Sequence, residues 1–197
     1  MALFRLAKPT DPQPALRGDG VMLRPAVPSD YSAWARLREQ SRAFLTPWEP
    51  TWPEDDLTRA AFRRRLRRQA EDIGRDESFA FLIFDATSEE LLGGLTLGGI
   101  RRGVAQAATL GYWMGAPHAG KGHMTRAVAA VVRFGFATLR LHRIEAACIP
   151  DNAPSIALLR RNGFRREGLA RAYLKINDAW RDHVLFALVE DEATRLD

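Results

Sequence analysis

"GYWMGAPHAGKGHMTRAV", residues 111–128, is the stretch of the chain that decides the fold. From Gly115 to Lys121 it fits the phosphate-loop pattern G-x-x-x-x-G-K-[ST], but the next residue is Gly122 rather than Ser or Thr. In that loop the Ser or Thr oxygen ligates magnesium, and glycine has no side-chain oxygen. The stretch is therefore either an ordinary turn or a site that holds phosphates without a metal ion.

The residues on either side of this stretch predict a strand, a turn and a helix. Ala107 to Met114 ("AATLGYWM") is a short apolar and aromatic run typical of a strand. After the turn, residues recur at the spacing of an amphipathic helix at Val128, Val131, Gly135 and Leu139. The first N–H groups of a helix lack internal partners and favour anions, and glycines let a phosphate approach the backbone. A plain strand-to-helix turn explains the same residues equally well.

Length and composition favour one globular domain in a reducing compartment. The chain has 197 residues, 46% hydrophobic and 27% charged, with a net charge of +5 and one cysteine, Cys148. A single cysteine cannot form an internal disulfide, and Cys148 lies in an apolar run, so we expect a buried, inert thiol. There is no apolar run long enough to span a membrane and no signal-peptide pattern, so the expected location is the cytoplasm.

The predicted element order is β-α-α-β-β-β-α-β-α-β-β, an α/β chain with a mixed sheet. Residues 1–18 contain three prolines and are expected to be a flexible leader, followed by a single domain over residues 19–197. The predicted strands are 21–27, 78–86, 90–100, 107–114, 142–149, 169–176 and 179–189. Helices are predicted over 31–42, over about 58–74, after the glycine turn, and over 151–164, where Asp151 or Asn152 can cap the last helix.

Two further patterns bear on partners and metals. The segment "FRRRLRRQAEDI" (62–73) places five arginines on one helix, which favours a solvated face over a docking surface for ribosomal RNA or an acidic partner. The four histidines, at 118, 123, 142 and 183, show no paired metal-ligand spacing, so no metal site is expected.

The stretch at 111–128, together with "HRIEAACIPDNAPSIALLRRNGFRREG" (142–168), resembles the GCN5-related N-acetyltransferase (GNAT) superfamily. Within it, the chain is similar to the ribosomal-protein-alanine N-acetyltransferase (RimJ/RimL-like) branch. The likeness also covers "FLTPWEP" (44–50), "SFAFLIFD" (78–85) and the tail from Tyr173 to Leu188. It implies the GNAT fold, with a mixed, mostly antiparallel twisted sheet of about seven strands flanked by helices.

The resemblance implies acetyl-CoA as co-substrate, bound without a metal. The family's phosphate loop reads Q/R-x-x-G-x-G/A, and the matching positions here are Ala119, Gly122 and Met124, so two of the three depart from the pattern. The pantetheine arm of acetyl-CoA is expected between "ATLGYWM" and "RIEAACI", two strands that diverge. The cofactor-binding residues that the resemblance implies are Met114, Gly120, Lys121, Gly122, His123, Met124, Thr125, Asn152 and Ser155.

The expected catalytic groups are less well defined by the resemblance. Many relatives carry a Tyr at the place of Leu159 and a Glu at the place of Thr109, and both are missing here. Ser155 is the leading candidate for contact with the departing sulfur and Tyr173 the second, with a purely structural first-turn role for Ser155 as the alternative. Glu145 is a candidate base or, equally, an outward salt-bridge partner. Water alone is a third route, since an α-amine has a pKa of about 8.

The acceptor that the resemblance implies is a protein N-terminus, most simply the N-terminal alanine of a ribosomal protein. A small amine, such as an antibiotic or a polyamine, is the alternative acceptor. From another class, the chain could be a non-catalytic ribosome-assembly or RNA-binding factor with the same fold. Ribosome contact through the arginine-rich helix and a monomeric or homodimeric state both stay open, and no membrane partner is expected.

Overall fold

The structure, a computed structural model, describes residues 15–193. Residues 1–14, most of the predicted leader, and residues 194–197 lie outside the described residues. Leu16–Gly18 form a strand, β1, that pairs antiparallel with β2, Val21–Arg24. Residues 16–18, which the sequence assigned to the leader, are therefore part of the sheet, and Leu16 packs against the main core.

Within residues 15–193 the strands form one eight-stranded sheet in the order β1-β2-β3-β4-β5-β6-β8-β7. The remaining strands are β3 Ser78–Asp85, β4 Leu91–Arg101, β5 Ala107–Met114, β6 Arg143–Cys148, β7 Arg165–Ile176 and β8 Ala179–Val189. Every neighbouring pair is antiparallel except β5 and β6, which run parallel. The predicted mixed, mostly antiparallel sheet is confirmed, with β1 as an additional strand.

The helices in the described range are α1 Tyr31–Gln40, α2 Arg42–Leu45, α3 Arg59–Gly74, α4 His123–Arg133, α5 Ala153–Arg161 and α6 Glu190–Ala193. Two of them, α3 and α5, begin at residues whose side chains cap them. Thr58 Oγ1 accepts the N–H of Ala61 at 3.2 Å and starts α3. Asn152 Oδ1 accepts the N–H of Ser155 at 3.1 Å and starts α5, as predicted. No helix within the described range is long and apolar enough to cross a membrane.

The core lies on both faces of the sheet. Side chains of successive strand residues point to opposite faces, and β3 shows this directly. Ile83 belongs to the main apolar cluster, which includes α4 residues such as Val128, whereas Leu82 and Phe84 belong to a second cluster with Trp34 of α1. The sheet is therefore a middle layer between helices.

The last two strands, β7 and β8, form an antiparallel hairpin. Asn177 and Asp178 have φ values of +45° and +61°, and the flanking residues Ile176 and Ala179 are paired. Two successive residues at positive φ are typical of the tight turn whose twist matches a hairpin.

One irregularity of the sheet creates the site. The parallel ladder between β5 and β6 covers only Ala107↔Arg143, Ala108↔Ile144 and Thr109↔Glu145. Beyond Thr109, β5 stays paired with β4 and β6 stays paired with β8, so the two halves of the sheet separate. The divergence expected between these strands is present.

Candidate active site

A cavity of about 700 Å³ occupies the opening between β5 and β6. Its walls come from the second half of β5, the end of β6, residues of α4 and α5, the loop around residues 44–50, the end of β7 and His183 of β8. A cavity of this size and mainly apolar lining is typical of a small-molecule site.

One end of the cavity is the glycine turn before α4. Gly120 and Gly122 both have positive φ, +75° and +79°, a conformation that other residues adopt at a cost. Gly122 is the N-cap of α4 and has no side chain to block the first N–H groups of the helix. A Cβ at Gly122 would lie 3.2 Å from Arg126 Nη1. This turn therefore exposes a helix N-terminus to the cavity, which suits an anion.

Most of the expected cofactor-binding residues meet at this cavity. Met114, Gly120, Gly122, His123, Met124, Thr125, Asn152 and Ser155 line it, whereas Lys121 is exposed and does not. Burial and the positive charge of Arg126 lower the pKa of His123, whose Nδ1 lies 2.9 Å from Arg126 Nη2. Arg126 rather than Lys121 is thus the cation packed against the turn.

The middle of the cavity contains a hydroxyl pair. Ser155 Oγ lies 2.6 Å from the phenol oxygen of Tyr112, and both residues line the cavity. Burial raises the pKa of Tyr112 to about 12, although the hydrogen bond with Ser155 opposes the shift. Tyr112 therefore stays protonated at physiological pH and always has a proton to share with Ser155.

The sequence reasoning missed Tyr112. The residue stands in the quoted run "GYWM", which predicted a strand, and a strand pattern does not say which alternate residues point into an opening. The signal that could have found it is the expected divergence itself, because residues of β5 beyond the last ladder pair border the opening.

Cys148 lies beside this pair, at the end of β6. It is buried and lines the cavity. Burial raises the pKa of its thiol, and a hydrogen bond with Ser155 lowers it in part. The raised pKa keeps the thiol protonated, as expected for an inert cysteine.

Glu145 lies outside the cavity lining and is engaged elsewhere. Its carboxylate accepts hydrogen bonds from Arg101 Nη2 (2.6 Å) and from Arg143 Nε (2.9 Å). Burial alone would raise the pKa of Glu145, but these two arginines outweigh it and the pKa lies below its ordinary value. A carboxylate held in this way is a poor base, and the salt-bridge alternative describes it.

Tyr173 also lies outside the lining. Its half-exposed ring contacts that of His183, with centroids 5.8 Å apart, and it is His183 that faces the cavity. Leu159, at the place where many relatives carry a Tyr, is fully buried in the main core. Among residues 15–193 no group of His, Cys, Asp or Glu could hold a metal ion.

A further part of the cavity wall comes from the tip of β7 and from the loop at residues 44–50, which we call the aromatic loop. Phe44, Trp48 and Glu49 line the cavity from one side and Leu174 and Lys175 from the other. The two sides are joined by the N–H of Asn177, which donates to the carbonyl of Glu49 at 3.1 Å.

The arginine-rich helix α3 lies away from this cavity, and part of its charge is engaged. Arg64 and Arg65 pair with Asp55 and Asp56, and Arg59 lies over the ring of Tyr31 at 4.3 Å. Arg63, Arg67 and Arg68 are exposed. A largely solvated face is consistent with this arrangement.

Comparison with known proteins identifies the class. A model of the acetyltransferase (GNAT) domain matches residues 21–165. The chain belongs to the GNAT acetyltransferase family and is an N-acetyltransferase. Its fold and its cavity between two diverging strands are those that the resemblance implied.

Individual relatives cover nearly the whole chain. The probable N-acetyltransferase YjcK of Bacillus subtilis is 36% identical over 177 residues, 90% of this chain and 98% of its own. The [ribosomal protein uS5]-alanine N-acetyltransferase of Escherichia coli is 36% identical over 185 residues, 93% of this chain and 94% of its own. The structure of Mycobacterium smegmatis RimJ in complex with CoA-disulfide superposes with a TM-score of 0.85 at 34% identity, covering 93% of this chain and 92% of its own.

The raised pKa of Tyr112 predicts a pH dependence of stability. In the unfolded chain a tyrosine ionises at about 10, whereas folded Tyr112 ionises at about 12. The stabilising difference is complete below about pH 10 and is lost as pH rises towards about 12. By pH 11 the wild type should lose about 1.4 kcal/mol of unfolding free energy through this residue.

Urea unfolding between pH 9 and 11 measures the effect, with Tyr112→Phe as the comparison. The variant should show a smaller decline in unfolding free energy, whatever its stability at pH 9. Equal declines in the two proteins would contradict the raised pKa.

Proposed function

We propose that the protein transfers acetyl from acetyl-CoA to the N-terminal amine of a protein, with the N-terminal alanine of a ribosomal protein as the leading acceptor. The observation that carries the proposal is the single cavity that joins a helix N-terminus, the Ser155–Tyr112 pair and the aromatic loop. These are the three parts that phosphate binding, thiolate stabilisation and acceptor binding require. A ribosomal acceptor would also place the enzyme in the cytoplasm.

The residues present fit acetyl-CoA. The β5 backbone between Leu110 and Met114 has no ladder with β6, so its groups on that side are free to bond the amides of a pantetheine arm. The first N–H groups of α4, behind Gly122, suit its pyrophosphate without a metal. Asn152 caps α5 and also lines the cavity, so its two expected roles are compatible.

Ser155 and Tyr112 are proposed to stabilise the departing thiolate. A thiol has a reference pKa of about 8.5, whereas the pKa of Tyr112 is about 12, so full proton transfer from the phenol is unfavourable. A hydrogen bond from Ser155, itself accepting from Tyr112, supplies the charge stabilisation instead. As the N–C bond forms and the C–S bond breaks, the amine proton leaves to water and the thiolate takes a proton from water.

The acceptor proposal is supported by the relatives. The E. coli relative, at 36% identity over 93% of this chain, acts by its name on an alanine of ribosomal protein uS5. A small first side chain lets the amine reach a thioester held between two strands, and a bulky one would clash earlier. A small polyamine is the second candidate, favoured by Glu49 in the cavity wall. Membership of the acetyltransferase family does not favour the non-catalytic alternative.

The acceptor is tested by thiol release from acetyl-CoA with peptides that begin with Ala, Ser or Leu, beside an acetyl-blocked Ala peptide, spermidine and kanamycin. We expect turnover with Ala, less with Ser, and none with Leu or the blocked peptide. Turnover of the small amines with none on the Ala peptide would overturn the protein acceptor.

Ser155→Ala should lower kcat about 10- to 100-fold, because a donor to the developing charge matters chiefly in the transition state. The KM for acetyl-CoA should stay within about threefold, and Ser155→Thr, which keeps the hydroxyl, should recover part of the loss. Steady-state kinetics with the best acceptor provide the measurement. Equal losses in kcat and in acetyl-CoA affinity would instead make Ser155 a binding residue.

A further inference from the structure

A buried arginine holds one carboxylate in the part of the cavity wall that the aromatic loop forms. Arg38 of α1 donates from Nη1 to Glu49 Oε1 at 2.8 Å and from Nη2 to Glu49 Oε2 at 2.6 Å. The indole N–H of Trp52 donates to the same Oε2 at 2.7 Å. Only 7% of the Arg38 side chain is exposed, against 20% of Glu49, so the carboxylate is the partner that remains accessible.

The Arg38 guanidinium is itself fixed by aromatic rings. It lies 4.0 Å from the ring centroid of Trp52 and 4.8 Å from that of Trp113. Trp113 is the β5 residue that follows Tyr112, so the pair is tied to the strand that lines the cavity. The rings hold the guanidinium of Arg38, and its two hydrogen bonds to Glu49 restrict the carboxylate to one orientation.

The hydrogen bonds leave Glu49 one free acceptor position. A carboxylate has about four lone-pair sites, two on each oxygen. Oε2 uses both, for Arg38 and Trp52, and Oε1 uses one, for Arg38. Glu49 is also the one carboxylate of the cavity lining within residues 15–193.

We propose that Glu49 binds and orients the amine of the acceptor through this remaining position on Oε1. An ammonium or a neutral amine can donate an N–H to it, and a neutral amine keeps its lone pair free to attack. Arg38, Trp52 and Trp113 are positioning residues that act through Glu49. This inference rests on the proposed acetyl transfer and names the group that recognises the amine.

The test removes the amine and the carboxylate in turn. A short peptide beginning with Ala is compared with its des-amino analogue, in which a propionyl group replaces the alanine, by calorimetric titration in the presence of CoA. Wild type should bind the Ala peptide about 10- to 100-fold more tightly than the analogue, the range expected for a hydrogen bond to a charged group. In Glu49→Gln that difference should shrink to about twofold or less.

Asp30→Asn is the matched control. Arg24 donates two hydrogen bonds to the carboxylate of Asp30, at 2.7 and 2.8 Å, and lies 4.2 Å from the ring centroid of Phe84. The pair therefore resembles that of Arg38 and Glu49, but neither Arg24 nor Asp30 lines the cavity. The control should lose thermal stability and keep the full preference for the amine. The inference is overturned if Glu49→Gln keeps that preference, or if Asp30→Asn loses it equally.

The outcome is separable from that of the proposed acceptor. If wild type acetylates spermidine and not the Ala peptide, the peptide acceptor fails, and the KM for spermidine decides the role of Glu49. A KM for spermidine that rises about 10-fold or more in Glu49→Gln but not in Asp30→Asn, with acetyl-CoA affinity unchanged, supports the inference. An equal KM in Glu49→Gln and Asp30→Asn overturns it.

Discussion

The three-residue parallel ladder between β5 and β6 is the constraint on which the rest of the structure depends. Both strands are also paired with a neighbour on their other edge. β5 is paired with β4 up to Met114, and β6 is paired with β8 up to Cys148. Because these antiparallel ladders continue where the parallel one stops, the sheet must open. Backbone groups at the opening lack a strand partner, and such groups are costly to bury unless a ligand or water bonds them. The opening therefore leaves backbone groups of β5 available to a ligand.

The order of the elements along the chain then places the starts of α4 and α5 at that opening. β5 leads into the turn before α4, and β6 leads into the cap of α5. Since β5 and β6 are parallel, both following helices begin at the same edge of the sheet, where ligands bind in open α/β sheets. Gly122 caps one helix, and Ser155 lies in the first turn of the other. One topological feature thus places a helix N-terminus and the hydroxyl of Ser155, the proposed anion site and catalytic group, in one cavity.

Local sequence patterns predicted most of the helices and strands. Contacts between residues that are distant in the sequence could not be predicted from them. β5 and the Asn152 cap were predicted correctly because apolar runs and caps are local signals. The strand at Leu16 was missed because three residues next to a proline-rich segment show no periodicity. At the site, the glycine turn was found from its motif. Two contacts of the site were not predictable, because they depend on which elements the fold brings together. These are the contact of Tyr112 with Ser155, 43 positions apart, and that of Arg38 with Glu49, 11 positions apart.

The central claim is that the opening binds acetyl-CoA on a glycine-capped helix without a metal. Calorimetric titration of acetyl-CoA with a chelator present, in wild type and in Gly122→Val, tests it most directly, with circular dichroism to show that both proteins are folded. The account predicts undiminished binding by the chelated wild type. It predicts at least about 10-fold weaker binding by the variant, because a branched side chain at a positive-φ cap blocks the approach to the helix N–H groups. Binding that requires added magnesium, or equal affinity in the two proteins, would contradict it.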